Sequence, residues 1–185
     1  MARDAQATRE RLIAAGRKAF SDRGFERTTV REIAAEAGVN PALINRYFGG
    51  KEQLFAEAVS IDLAFPNLSG VARDRIGHAL VEHFFRRWEG DAQDDLLRVL
   101  IRTAATNEEA ASRIRAVLAE QVGLMVARVA GPARVRERAS LIATQILGLA
   151  YARYVIGLSD GDVTPQTAIA MIGGTVQRYL FDELP

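Results

Sequence analysis

Apolar residues recur at three- and four-residue intervals along most of this chain, and that spacing leaves little room for any fold but a helical one. In the first such stretch, Leu12, Ile13, Ala19 and Phe20 share one side of a helix, with Gly16 between them. Alternation of apolar and polar residues, the pattern typical of strands, rarely persists. The sequence therefore predicts an all-α protein.

Glycine, proline and short polar runs divide this pattern into about nine helices. The predicted helices cover residues 8–23, 30–37, 41–47, 51 to before 66, 71–89, 93–105, 108–130, 134–158 and 165–182. The clearest breaks among the later helices fall at residues 90–91, 131–132 and 159–162.

Composition excludes several kinds of chemistry. There is no cysteine, so disulfides, thiolate metal sites and cysteine nucleophiles are absent. His78 and His83 stand five residues apart rather than the four that would place both on one helical face as zinc ligands. No nucleophile–base pair or phosphate-binding loop stands at a useful spacing. We therefore expect neither an enzyme nor a cofactor or metal site.

The uncharged stretches are short. The longest are residues 139–152 and 163–177, of 14 and 15 residues, whereas a membrane span needs about 18 or more. The first ten residues carry four charges and cannot form a secretory signal. We expect a soluble cytoplasmic protein that does not enter a membrane.

Charge is unevenly distributed along the chain. Residues 1–50 hold nine Arg and Lys against six Asp and Glu, a surplus of +3, whereas residues 51–185 hold 15 against 17, a balance of −2. A basic N-terminal part on a slightly acidic body favours a polyanionic partner for that part, although chance would explain so small a surplus equally well.

Residues 28–52 carry the start and stop signals of two short helices joined by a tight turn. Thr29 and Glu32 have the spacing of a capping box, which starts the first of these helices. Gly38 follows, and glycine tolerates the positive φ that a sharp turn between helices requires. Asn40 and Pro41 then favour a new helix start.

The helix over residues 41–47 has two chemically different sides. Leu43, Ile44 and Tyr47 lean inward, whereas Ala42, Asn45 and Arg46 face outward. Such a polar face suits the DNA major groove, since Asn pairs with adenine edges, Arg with guanine edges or phosphate, and Ala with a thymine methyl. Lys51 at the next helix start, and Thr28 and Thr29 at an earlier one, are candidate phosphate contacts. A helical hairpin without a nucleic-acid role remains the alternative on these residues alone.

The motif Gly24-Phe25-x-x-Thr28-Thr29-Val30-Arg31-x-Ile33-Ala34-x-x-Ala37-Gly38-Val39, followed by Arg46-Tyr47-Phe48-x-x-Lys51-Glu52-x-Leu54-Phe55, closely resembles the DNA-binding domain of TetR-family transcriptional regulators. The resemblance covers about residues 8–55, and the later helices match the family in number and size. It implies a three-helix helix-turn-helix domain at residues 1–50 and a helical ligand-sensing and dimerisation domain at residues 51–185. A homodimer would bind double-stranded operator DNA, and a small molecule would lower that affinity.

The resemblance also implies site residues. The expected DNA contacts are Thr28, Thr29, Arg31, Asn40, Pro41, Ala42, Asn45, Arg46, Tyr47 and Lys51. Two positions depart from the family pattern. An aromatic residue often stands where this chain has Asn45, which favours base reading there. Serine often stands where it has Gly50, so a hydroxyl cap is lost.

The sequence of the C-terminal half predicts a dimer interface and a pocket for an effector. The last two helices are apolar on broad faces and, by the resemblance, pair with those of a second chain, with a core within one chain as the alternative. A pocket for an apolar or aromatic effector would be lined by Phe84, Phe85, Trp88, Leu97, Leu100, Leu118, Gln121, Met125, Tyr151 and Tyr154. At each of these positions ordinary core packing is the alternative.

These observations together favour a ligand-responsive, sequence-specific DNA-binding repressor. Two other classes of function fit the sequence less well. An enzyme lacks support for the reasons above, and a nonspecific architectural DNA binder would not need so large and acidic a C-terminal half.

Overall fold

The computed structural model describes residues 2–59, 61–90, 95–158 and 163–185. Within these residues it has nine helices, when continuous runs are counted once, and no strand, which confirms the all-α prediction. The helices form two compact units, residues 1–61 with 95–114 and residues 62–94 with 115–185. The expected DNA-binding segment, residues 1–50, lies inside the first unit, and a functional boundary after residue 50 stays a prediction.

The nine helices follow one another with short connections. They are α1 (Ala2–Arg27), α2 (Val30–Glu36), α3 (Ala42–Phe48), α4 (Lys51–Ala58), α5 (Ile76–Gly90, preceded by the 3₁₀ turn Arg73–Arg75), α6 (Asp95–Thr103), α7 (Glu108–Val117, Leu118–Val122 and Gly123–Ala130), α8 (Val135–Ala150 and Tyr151–Ile156) and α9 (Pro165–Phe181). The predicted start of a helix at residue 93 and the predicted break at residues 159–162 lie outside the described residues.

The predicted start of the first helix was wrong. Helix α1 begins at Ala2 rather than near Thr8. The Thr8 hydroxyl donates to the Asp4 carbonyl at 2.8 Å, four residues back, so Thr8 lies inside the helix instead of capping it. Gly24 interrupts α1 as expected, because its backbone takes φ 76°.

Two of the long helices contain a π turn. Helix α7 widens at Leu118–Val122, and α8 ends in a second such turn at Tyr151–Ile156. Such turns often occur where a helix contributes side chains to a functional site. Side-chain caps start α7 and α9. Asn107 accepts from the Ala110 N–H at 2.9 Å, and Thr164 accepts from the Thr167 N–H at 3.1 Å.

The second unit depends on a close crossing of α5 and α9. A Cβ added to Gly77 would lie 2.4 Å from the Gly173 carbonyl oxygen, and one added to Gly173 would lie 2.8 Å from the Cα of His78. Beside this contact, the Gln177 side chain accepts from the Gly77 N–H at 2.8 Å and donates to the Arg73 carbonyl at 2.7 Å. The two backbones therefore touch only because both positions are glycine.

We predict that Gly173→Ala lowers the free energy of unfolding by about 1–3 kcal/mol, because the new methyl group overpacks against the α5 backbone. Chemical denaturation followed by circular dichroism measures this change. Gly174→Ala is the matched control, since no atom lies within 4 Å of the position its Cβ would take. That variant should be neutral or gain up to about 1 kcal/mol from improved helix propensity. Equal stability of the two variants would contradict the close crossing.

Candidate nucleic-acid interface

An aromatic cluster in the first unit joins α1 to α4. The ring of Phe55 lies 4.9 Å from those of both Phe20 and Phe25, in edge-to-face arrangements. Phe20 and Phe55 are completely buried. Edge-to-face pairs at this distance stabilise a core beyond the area they bury. Helices α2 and α3 pack against α1 and α4, the two helices that this cluster joins.

The capping box predicted at the start of α2 is confirmed. The Glu32 carboxylate accepts from the Thr29 N–H at 2.8 Å and from the Thr29 hydroxyl at 2.7 Å, while that hydroxyl accepts from the Glu32 N–H at 3.3 Å. The bond from the Thr29 hydroxyl lowers the pKa of the Glu32 carboxyl group. A carboxylate thus already occupies this helix start, and an incoming phosphate would have to share the Thr29 donors with it.

Thr28 requires a correction. Its side chain is 1% exposed, and the hydroxyl lies 3.0 Å from the Ala19 carbonyl and 2.7 Å from the Gly24 carbonyl. This burial contradicts the prediction that the Thr28 side chain contacts phosphate. The hydroxyl instead bonds the start of α2 to the kinked end of α1.

The turn into α3 has the predicted geometry. Gly38 takes φ 63°, and the Val39 N–H donates to the Ala34 carbonyl at 2.9 Å, which closes the end of α2. Asn40 then accepts from the Ala42 N–H through its side-chain oxygen at 2.9 Å. The Asn40 oxygen therefore caps α3, although the residue itself is exposed.

Helix α3 separates its two sides as the sequence predicts. Ile44 is completely buried, Phe48 is 7% exposed, and Leu43 and Tyr47 are half-buried. On the opposite side the predicted DNA-contacting residues are exposed: Pro41, Ala42, Asn45 and Arg46. A short helix with an apolar back and an outward amide and guanidinium has the form that a major-groove reader needs.

The remaining predicted contacts flank this face. Arg31 and Thr29 are exposed on α2. The Lys51 ammonium lies 4.2 Å from the centre of the Phe25 ring, and no side-chain cap hydrogen bond starts α4 at Gly50, as expected.

The sequence did not reveal the role of Arg9, whose guanidinium lies over the Phe48 ring at 5.2 Å and pairs with Glu57. No local pattern could have found it, because both partners are about 40 or more residues away in the chain.

The residues predicted to line an effector pocket belong to both units. In the second unit Trp88 and Tyr154 stack at 4.6 Å, and Phe84 packs 5.5 Å from Trp88 and 5.3 Å from Phe85. These rings pack against one another within the second unit, and a lining role for them stays a prediction. Burial, and then the bond to Glu89, raises the pKa of the Tyr154 hydroxyl.

The other predicted lining residues belong to α6, α7 and α8. Leu97 and Leu100 belong to the first unit, where Leu100 is part of the buried core. Leu118 is half-buried on α7, and Tyr151 is 39% exposed on α8. Gln121 and Met125 do line an open space, a groove of about 850 Å³ within the second unit.

Two family patterns match the chain. The pattern described as "Bacterial regulatory proteins, tetR family" matches residues 12–58, and that described as "Tetracyclin repressor-like, C-terminal domain" matches residues 74–180. The second match alone covers more than half of the chain. Together they agree with the fold of both units and with the exposed face of α3.

Curated relatives resemble the DNA-binding part. The HTH-type transcriptional regulator BetI of Brucella anthropi is 50% identical over 46 residues, which are 25% of this chain and 24% of that protein. BetI of Rhizobium meliloti is 43% identical over 51 residues, 28% of this chain and 25% of that protein. The chain thus spans about a quarter of the length of these relatives.

Solved structures resemble the whole chain. A TetR-family regulator of Streptomyces coelicolor A3 is 29% identical, with a TM-score of 0.53 over 94% of each chain. SmeT, the repressor of the multidrug efflux pump SmeDEF of Stenotrophomonas maltophilia, shares the fold at 20% identity, with a TM-score of 0.58 over 95% of this chain and 90% of its own. A helix-turn-helix with an outward polar face and matches over both units lead to one conclusion: this chain belongs to the TetR family of DNA-binding transcriptional regulators and not to a family of enzymes.

Proposed function

We propose that this protein is a sequence-specific repressor that binds a two-fold-related operator as a homodimer and is released by a small molecule. The observation that carries the proposal is the exposed face of α3, where Asn45 and Arg46 stand outward over buried Ile44 and Phe48. A dimer would place two such helices about 34–36 Å apart, the spacing of successive major grooves. The cytoplasm is the compartment in which this activity belongs.

The direct contacts divide into two kinds. Asn45, Arg46 and Ala42 would read base edges. Lys51, Tyr47, Arg31 and Thr29 would contact the phosphate backbone and fix the register of α3 on the duplex. Repression agrees with the role of SmeT as a repressor, although that structure is similar in fold alone.

We predict different effects for the two kinds of contact. Lys51→Gln should weaken binding to all sequences alike and reduce the slope of log affinity against log salt by about 1, because one phosphate contact is lost. Arg46→Ala should cost about 1–3 kcal/mol for the preferred base pair and relax selectivity at that position. Fluorescence anisotropy with operator and random duplexes, over a salt series, measures both effects.

Arg86→Gln is the control for these variants, because Arg86 is an exposed arginine on α5 in the second unit. It should leave affinity and salt slope unchanged. If Arg46→Ala kept full operator selectivity, Arg46 would not be a base-reading residue.

The revised position of Thr28 gives a second prediction. Thr28→Val should lower the free energy of unfolding by about 1–2 kcal/mol, because the Ala19 and Gly24 carbonyls lose the hydroxyl that donates to them. The salt slope of DNA binding should stay that of the unmodified protein, since the side chain reaches no phosphate. A reduced slope with unchanged stability would restore the phosphate contact and reject the structural role.

The homodimer is proposed to form through α8 and α9. The run Val135–Ile156 is the one helix of the described part that is long and apolar enough to cross a membrane by composition, with only 28% of that stretch buried. Leu141 and Ile156 on this run are 38% and 61% exposed, and Met171 on α9 is 71% exposed. Two copies that pair these faces would bury them, as in family dimers built from two helices of each chain.

We predict that Met171→Glu shifts the protein from dimer to monomer, because a carboxylate would be buried in an apolar interface without a partner. Analytical ultracentrifugation over a concentration series measures the shift. Leu124→Glu is the matched control, since Leu124 is 55% exposed on α7, outside the proposed interface. Should both variants dimerise as tightly as the unmodified protein, α9 would not form the interface.

A further inference from the structure

The groove in the second unit is built from one irregular segment and one helix. Its first wall is formed by the chain that leads from residue 62 through the 3₁₀ turn to the start of α5, and its second wall by α7. Gln121, on the π turn of α7, stands between the two. This position is separate from the stacked rings of Phe84, Trp88 and Tyr154, which do not line the groove.

The irregular wall is held in place by polar contacts on both sides of Leu63. The Leu63 N–H donates to the Gln121 side-chain oxygen at 2.7 Å, and the Leu63 carbonyl lies 2.9 Å from a ring nitrogen of His83. Asp62 accepts from the Ala64 N–H at 2.8 Å, and Asn67 accepts from the Ser69 N–H at 3.0 Å. The groove is therefore formed before any ligand arrives, which reduces the entropic cost of binding.

The apolar part of the groove exposes one large side chain to solvent. Leu124 is 55% exposed, although it lines the groove beside the buried Met125. Leu68, Ile76 and Val129 extend the same apolar lining. A ligand with a flat or chain-like apolar body would cover the exposed Leu124 side chain, and the removal of that apolar surface from water favours binding.

The charged part of the groove is basic. Arg73 and Arg128 both line it, against the single carboxylate of Asp62, which already accepts a backbone N–H. The Arg73 guanidinium lies over the ring of Phe181 at 4.3 Å. A planar fork of this kind matches a carboxylate, with which it forms paired charge-assisted hydrogen bonds.

We propose that this groove binds an amphipathic carboxylate, with its anionic group at Arg73 and Arg128 and its apolar body along Leu124 and Met125. The inference rests on the proposed function, since it assigns the chemical class of the effector. It departs from an apolar or aromatic ligand held among the rings of α5 and α8. A neutral apolar molecule would leave the two arginines without an anionic partner, and a cation would be repelled by them.

The test compares two ligands of equal chain length. Isothermal titration calorimetry on the full chain measures the affinity for decanoate and for decanol. Decanoate should bind at least about tenfold more tightly, a ratio expected for one charge-assisted hydrogen bond. Equal affinity for the two, or no binding of decanoate, would overturn the inference.

Two variants place the binding in the groove. Arg128→Gln and Arg73→Gln should each weaken decanoate binding by about tenfold and leave decanol binding unchanged, because only the anion contact is lost. Arg86→Gln is the matched control and should bind decanoate as the unmodified protein does. Circular dichroism confirms that each variant is folded. Decanoate binding that is insensitive to both groove arginines would place the ligand elsewhere and overturn the inference.

Failure of this inference is distinguishable from failure of the proposed function. Calorimetry without DNA tests the groove alone, whereas anisotropy on the ligand-free protein tests operator binding alone. Decanoate should then raise the apparent dissociation constant of the operator complex in the unmodified protein, and Arg128→Gln should need about tenfold more decanoate for the same effect. Operator binding that is unaffected by saturating decanoate would overturn the assignment of this class as effector.

Discussion

The outward position of α3 depends on the aromatic cluster of Phe20, Phe25 and Phe55. These rings join α1 to α4 in the centre of the first unit, and α2 and α3 pack on that base through Ile33 and Ile44, both completely buried. A reading helix must present its side chains at a fixed angle, and rigid packing behind it reduces the freedom lost on binding. The polar side of α3 is therefore available to DNA because its apolar side is fully used.

Polar bonds refine this arrangement where aromatic packing alone would leave freedom. The Thr28 hydroxyl bonds to the Ala19 and Gly24 carbonyls, and Arg9 reaches from α1 to Phe48 at the end of α3 and to Glu57 on α4. Threonine can contact phosphate when its hydroxyl is exposed, but the buried Thr28 hydroxyl instead bonds the start of α2 to the end of α1. The same hydroxyl chemistry thus serves different purposes one residue apart, since Thr29 remains exposed at the helix cap.

In the second unit the packing depends on glycines, which have no side chain to keep two helices apart. Gly77 and Gly173 let α5 and α9 touch, and Gln177 bonds across the contact. The aromatic residues of α5 then meet the end of α8 and close on one another. A groove lies along α7, next to a segment that Gln121 and His83 hold in place. An effector would meet arginines and aliphatic side chains there rather than a ring of aromatic ones.

The sequence by itself determined the features that depend on neighbours a few residues apart. Helical periodicity, the Thr29–Glu32 cap, the turn at Gly38 and the two sides of α3 follow from local geometry, and the structure has them all. Tertiary structure alone decided which polar groups are buried and which aromatic residues leave space between them. The fate of Thr28, the brace formed by Arg9 and the glycine crossing involve partners up to about 100 residues apart. One-dimensional spacing carries no information about such distances, because burial is set by whichever element the folded chain brings alongside.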